Sequence, residues 1–120
     1  IVKQLRSIPS VKTQTRKDLY RKLLAGHDFL NSNFLNEIHI SQVAANCGLS
    51  EYYFYRLFKT VYGVSPMQFV IQKRLHYSKL LLLKNKCSIA EVALLSGFSD
   101  IHSFSKAFKK EYLVAPSYLL

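Results

Sequence analysis

Two short stretches of the chain place cations and flat rings at the spacing of one helix face. In the first, Tyr52, Arg56 and Lys59 recur at three- and four-residue intervals, with Tyr55 at the edge of the same face. In the second, His102, Lys106 and Lys109 do so, with Ser105 at the edge and Ser103 on the flank. At about 100° per residue these side chains oppose Phe54, Leu57, Phe58 and Val61 in one stretch, and Phe104, Ala107 and Phe108 in the other. The chemistry on offer is donation from a guanidinium or ammonium one turn after an exposed ring. Such a cation can donate to guanine O6 and N7 in a major groove, where a bidentate contact discriminates by about 1–3 kcal/mol. The ring can stack on deoxyribose or touch a thymine methyl. Lysines later in each helix reach phosphates, which set register and not sequence. An ordinary solvated face would also carry Lys and Arg, but it disfavours exposed aromatics and has no reason to occur twice.

What must position these faces is an internal repeat. "ISQVAANCGLS", Ile40 to Ser50, matches "IAEVALLSGFS", Ile89 to Ser99, at an offset of 49, with five of eleven positions identical. One residue is then inserted. "FYRLFKTVYGVSP", Phe54 to Pro66, matches "FSKAFKKEYLVAP", Phe104 to Pro116, at an offset of 50, with six of thirteen identical. Similarity at a fixed period predicts a duplicated supersecondary unit. Each unit opens on a short helix, with Val43 and Ala44, or Val92 and Ala93, facing inward. Ser88 followed three residues later by Glu91 is a capping box. Gly48 and Gly97 come next, where positive φ lets the chain turn sharply. Leu49 and Phe98 follow, and then Ser50 and Ser99, the expected caps of a second helix. Ala44 and Ala93, four residues before each glycine, leave room for that helix to cross. This is the turn chemistry of a helix-turn-helix. It predicts one such unit at about 40–62 and another at about 89–112.

Between the units, Ser65-Pro66 predicts a helix start, with Ser as N-cap and Pro at the first helical position. Phe69, Val70, Leu75, Leu80 and Leu83 carry that helix to about Lys84. Roughly eighteen residues at ~1.5 Å each make a ~27 Å strut, expected to hold the units at a fixed separation. Asp18 predicts the start of an earlier helix through Leu19, Leu23, Leu30 and Phe34, with Phe29 beside them and Asn31-Ser32-Asn33 as its end. Ala115-Pro116 predicts a last short helix that stops at Leu120. The expected fold class is all-α, with about seven helices in two helix-turn-helix subdomains joined by a long central helix. Residues 1–17 carry Lys3, Arg6, Lys12, Arg16 and Lys17, no acid, and a Pro9-Ser10 break. They read as a basic linker or arm from a missing upstream domain, with a short helix end at Ile1 to Leu5.

Composition bounds the possibilities. The 120 residues carry 17 Lys and Arg against 7 Asp and Glu, for a net charge of +10, which favours a polyanionic partner. With 49% hydrophobic residues the chain is apolar enough to fold. Its longest aliphatic run, Leu80 to Leu83, is far short of a membrane span of ~20 residues. The chain opens on Ile1 without a signal peptide pattern, which reads as a fragment of a longer protein. Cys47 and Cys87 form no CxxC pair, and the four His show no ligand spacing, so no metal and no cofactor is expected. The cysteines read as reduced thiols of an intracellular protein, with a disulfide as the alternative. Cys47 falls on the inward side of its helix and His102 has no carboxylate partner at a suggestive spacing, so no catalytic residue is assigned and no enzyme is expected.

The sequence closely resembles the DNA-binding domain of the AraC family of bacterial transcription regulators over about residues 18–120. The most specific stretch is "IAEVALLSGFSDIHSFSKAFKKEYLVAPS"; "RLHYSKLLL" resembles the family's connecting helix. The resemblance implies seven helices in two subdomains joined by a rigid helix. It also implies recognition helices in successive major-groove segments about one helical turn (~34 Å) apart. The family's base-contacting positions match Tyr52, Tyr55 and Arg56, and His102, Ser103 and Lys106. Tyr53 is a further candidate. Phosphate contacts are expected from Ser50, Lys59, Lys84, Lys86, Ser99, Lys109 and Lys110. Lys73 and Arg74 on the strut are further cations of this kind, with a structural ion pair as the other reading of Arg74. The expected partner is double-stranded DNA, with RNA polymerase as a second candidate and no membrane. The fragment is expected to be monomeric and cytoplasmic, at the bacterial nucleoid, and the full-length protein dimeric through a missing domain. Alternatives are a DNA-repair regulator fragment with methyl-acceptor activity, which needs a Cys cluster, and a protein-interaction module contacting RNA polymerase.

The chain departs from the family pattern at Leu113, at Tyr118-Leu119-Leu120 and at Lys106. Leu113 stands where a Gly is usual, so its helix must end without the usual left-handed cap or with a strained one. Tyr118-Leu119-Leu120 replaces an acidic-aromatic-Arg run and bears on the final helix. Lys106 in place of a more typical Arg loosens discrimination at that base.

Overall fold

The computed structural model describes residues 13–120, and the expectations for Ile1 to Leu5 and the cations Lys3, Arg6 and Lys12 lie outside them. The first helix, α1 (Thr13–Asn33), is already formed at Thr13, ahead of the expected start at Asp18. Arg16 and Lys17 therefore belong to a helix and not to an arm. The apolar stripe begins only at Leu19, so periodicity gave no reason to begin earlier. Asp18 instead pairs with Lys22 one turn on, at 3.5 Å. The end at Asn33 falls where the Asn31-Ser32-Asn33 run places it.

Five more α-helices follow among the described residues: α2 (Ile40–Asn46), α3 (Glu51–Tyr62), α4 (Pro66–Lys84), α5 (Ile89–Leu95) and α6 (Ile101–Tyr112). A 3₁₀ turn, Pro116–Leu119, comes last, and no strand occurs among these residues. The chain divides into two compact units. One holds the residues through Asn33 with Ile38–Phe69; the other holds Phe34–Glu37 with Val70–Leu120.

Each unit turns between its two short helices by the same device. The Leu49 N–H donates to Ala44 O at 3.0 Å, and the Phe98 N–H to Ala93 O at 3.0 Å. These bonds close a Schellman loop only because Gly48 and Gly97 take φ of +80° and +90°. The next helix is then capped. Ser50 Oγ accepts from the Tyr53 N–H at 3.1 Å, as expected. Its counterpart is not Ser99 but Asp100, whose Oδ1 accepts from the Ser103 N–H at 2.7 Å. The one-residue insertion falls between cap and turn, so the cap moves one position on and Ser99 donates its hydroxyl to Asp100 Oδ2 at 3.2 Å. Asp100 is the stronger cap for a dipole because it carries charge.

The cores repeat as closely as the sequence does. In the first unit Phe54 and Phe58 meet edge-on with ring centroids 5.6 Å apart, and Phe58 lies 4.6 Å from Tyr62. In the second, Phe104 and Phe108 are 5.7 Å apart and Phe108 lies 4.7 Å from Tyr112. Leu23 and Leu30 of α1 and Val43 and Ala44 of α2 are buried in the first unit. Leu75, Leu82, Val92 and Ala93 close the second. Leu80 and Leu83, which carried the helical spacing of α4 in the sequence, are 48% and 58% exposed. Near the end of that helix the buried places go to Ser78 and Leu82, and the Ser78 hydroxyl is satisfied by donating to Leu75 O at 2.6 Å.

The ends of the repeat differ. Ser65 and Gln68 cap α4 reciprocally, at 3.0 and 3.2 Å, before a nineteen-residue helix. Ala115 has no side chain to do so, and Pro116 opens only the 3₁₀ turn. Leu113 adopts the strained alternative: it ends α6 at φ +66°, where Gly63 ends α3 at +81°. Its side chain is 82% exposed and contributes little packing to offset a left-handed cost of about 1–2 kcal/mol. Leu113→Gly should therefore stabilise the protein by about 1 kcal/mol in urea denaturation; a loss of stability would show that its exposed side chain is held by contacts worth more than the strain.

Ser96, at the position equivalent to Cys47, is fully buried and its hydroxyl has no hydrogen-bond partner among the described residues. An unsatisfied buried hydroxyl costs about 1–3 kcal/mol. Ser96→Ala should raise the thermal midpoint, and a lowered midpoint would reveal a partner for that oxygen.

Candidate nucleic-acid interface

The second helix of each unit buries one face and exposes the other. On α3 the buried Phe54, Leu57, Phe58 and Val61 fix the rotation of the helix, and Tyr52, Tyr53, Tyr55, Arg56 and Lys59 are all exposed. Tyr52 is 69% exposed, which is unusual for a ring with no packing role. The ring and cation of this face are paired one turn apart. Arg56 Nη1 donates to the Tyr52 hydroxyl at 3.2 Å, with the guanidinium carbon 5.8 Å from the ring centroid. Lys59 Nζ lies 5.9 Å from the Tyr55 ring centroid. Both pairs are i,i+4, and helical side chains lean toward the N-terminus, so each cation reaches back over the ring before it.

On α6 the buried Phe104 and Phe108 play the same part, and His102, Ser103, Lys106, Lys109 and Lys110 are exposed. Ala107, placed in the core by the sequence, is partly buried against it. The electrostatics of this face differ from those of α3. Its cap is the Asp100 carboxylate, held below the ordinary carboxylate range first by the Ser103 N–H and then by the Ser103 and Ser99 hydroxyls. The Ser103 hydroxyl donates to Asp100 Oδ2 at 3.2 Å, so its proton is engaged.

The remaining expected contacts sort by exposure. Ser50 uses a lone pair as cap and keeps its proton to donate. Lys84, Lys86 and Ser99 are exposed. Arg74 is not: it is buried in the second unit and donates Nε to Phe34 O at 2.6 Å and Nη2 to Asn36 O at 2.8 Å. Burial draws its pKa below the ordinary value. It is a structural cation held by carbonyls, which removes it from the phosphate candidates. Lys73 Nζ lies 5.5 Å from the Phe34 ring centroid.

The sequence reading missed Lys22. Its stem lies across the turn at Gly48, close enough that a β-carbon there would meet it at 3.6–3.9 Å, which places an ammonium beside the start of α3. The i,i+4 relation to Asp18 was visible in the sequence, but its place over the turn was not. Cys47 is half-buried, and burial pushes its thiol pKa up, which works against a reactive thiolate. Among the described residues no three His, Cys, Asp or Glu side chains converge as a metal site, and no helix is long and apolar enough to cross a membrane.

Residues 43–120 match a helix-turn-helix domain family. The chain is 32% identical over 90 residues to the probable transcriptional regulator LumQ of Photobacterium leiognathi, covering 75% of this chain and 36% of that protein. It is 34% identical over 89 residues to the virulence regulon transcriptional activator VirF of Yersinia enterocolitica, covering 74% and 33%. The chain thus spans about a third of the length of these relatives. Its fold is similar to that of a transcriptional regulator with an AraC-type DNA-binding domain from Chromobacterium violaceum, with 25% identity, a TM-score of 0.73, and coverage of 83% of this chain and 89% of the other.

Proposed function

The chain belongs to the AraC-type helix-turn-helix family, and from that premise we propose that it binds double-stranded DNA sequence-specifically to regulate transcription. In this reading α3 and α6 enter successive major-groove segments. Tyr52, Tyr55 and Arg56 meet base edges from α3, and His102, Ser103 and Lys106 from α6. Ser50, Lys59, Lys84, Lys86, Ser99, Lys109 and Lys110 meet phosphates, with Lys22 added beside the first turn. The observation that carries this reading is the pairing of a buried aromatic face with an exposed cationic one on the second helix of both units. The net charge of +10 supports it, through the counterions that a polyanion releases on binding.

The two faces differ, so a monomer would meet an asymmetric site. RNA polymerase is a second partner we propose only at the level of the family's role in transcription, with the cytoplasm and nucleoid as its place. The proposed activity is binding without catalysis; the raised thiol of Cys47 disfavours the methyl-acceptor alternative.

The test is site selection from random duplexes, followed by two variants on the selected site. Arg56→Ala should lower affinity roughly ten- to a hundredfold and relax preference at one base pair. Lys109→Ala should weaken binding equally on every sequence and reduce the salt slope by about 0.9. Equal losses on all sequences for Arg56→Ala would demote it to a phosphate contact, and the absence of any selected site would end the reading.

A further inference from the structure

We propose that Tyr52 is a positioning residue for Arg56, setting the guanidinium for a base edge before DNA arrives. The proposal rests on the DNA-binding reading above and goes beyond it. The Tyr52 hydroxyl then acts through a second side chain, while the base-edge contact proposed above is left to the ring.

The argument begins with the cost of using an exposed arginine. A free Arg side chain carries about 2 kcal/mol of rotamer entropy, part of which is lost when it donates to a base. On α3 that freedom is already restricted. Arg56 Nη1 is held by the Tyr52 hydroxyl at 3.2 Å, and its guanidinium carbon sits 5.8 Å from the centroid of the same ring. Of the five N–H donors of the guanidinium, one is used, and a bidentate contact to guanine O6 and N7 needs two of the four left. Holding Arg56 therefore takes nothing from its reading capacity. The helix that carries both side chains is held in rotation by Phe54 and Phe58, both fully buried.

The second unit gives the internal contrast. His102 stands for Tyr52 and Lys106 for Arg56, and no hydrogen bond or ring contact joins them among the described residues. The Ser103 hydroxyl on the flank of that face is committed to Asp100 at 3.2 Å. The positioning device thus belongs to α3, where the cation is also the one able to donate two parallel bonds.

The test removes one oxygen. Tyr52→Phe keeps the exposed ring and deletes the acceptor, and its far-UV spectrum and thermal midpoint should match those of the parent chain. Binding is measured on the selected duplex and on a panel altered at the base pair that Arg56→Ala identifies. Tyr52→Phe should lower discrimination at that base pair roughly three- to tenfold. Binding to unrelated duplex should not change, and adding Tyr52→Phe to Arg56→Ala should have no further effect. Two results would overturn the proposal: the same loss with and without Arg56, which would make the hydroxyl a direct contact, or no change in discrimination. If Arg56→Ala itself alters no base preference, Arg56 is a phosphate contact and the positioning proposal falls, while the DNA-binding reading stands or falls with the selected site.

Discussion

Gly97→Ala should cost the second unit about 2–5 kcal/mol, a large share of the ~5–15 kcal/mol that holds a native domain together. Two terms add. Gly97 sits at φ +90°, where an L side chain costs about 1–2 kcal/mol. A β-carbon there would also lie 2.8 Å from Arg74 Nε and 3.2 Å from its Cδ and Cζ. That neighbour cannot swing aside, because its nitrogens are bound to Phe34 O and Asn36 O. Overpacking against a pinned group adds about 1–3 kcal/mol. Gly48→Ala is the matched control. It has φ of +80°, but its β-carbon would meet only the flexible Lys22 stem at 3.6 Å or more. It should lose the strain term alone, about 1–2 kcal/mol. Urea denaturation of the two variants decides the matter, since equal losses would mean that the arginine yields freely.

The equivalence of those two glycines was legible before any coordinates, and so was much else. Repetition placed both turns, both buried aromatic faces and both cationic ones. A side chain that follows a turn motif at fixed spacing has few places to go. What stayed hidden depends on contacts distant in sequence or on one-residue register. Ser99 looked like a cap because the repeat offset changes within the turn, and nothing in the letters says on which side of the cap the extra residue falls. Arg74 stayed open between a phosphate contact and a structural ion pair, because its partners are backbone carbonyls of residues 34 and 36, and carbonyls leave no signature in a sequence. The polar first turns of α1 carried no periodicity to announce them. On α4, the run of four leucines from Leu80 to Leu83 gave no way to tell which would be buried. The Tyr52–Arg56 spacing was visible, and only the direction in which the guanidinium leans converts that spacing into a role.

Arg74 carries the second large effect. Arg74→Ala should destabilise the protein by about 3–5 kcal/mol, since hydrogen bonds from a charged donor contribute about 1.5–3 kcal/mol each and the deleted stem leaves a cavity. Phe34 O and Asn36 O both accept from this one side chain and would lose the bonds it donates. Arg74→Lys should recover only part of the loss, because a single ammonium on a flexible stem does not reproduce a planar fork reaching two carbonyls. The guanidinium stays charged throughout the neutral range even with its pKa drawn down by burial, so the loss should not vary between pH 6 and 8. The two residues must also be coupled. With Arg74 truncated there is nothing for a β-carbon at position 97 to strike, and Gly97→Ala in that background should cost only the backbone strain, as Gly48→Ala does. The double-mutant cycle then shows a favourable interaction of about 1–3 kcal/mol between the two substitutions. Additive losses would place the cost of Gly97→Ala wholly in its backbone and would mean that the arginine does not set the limit on that turn.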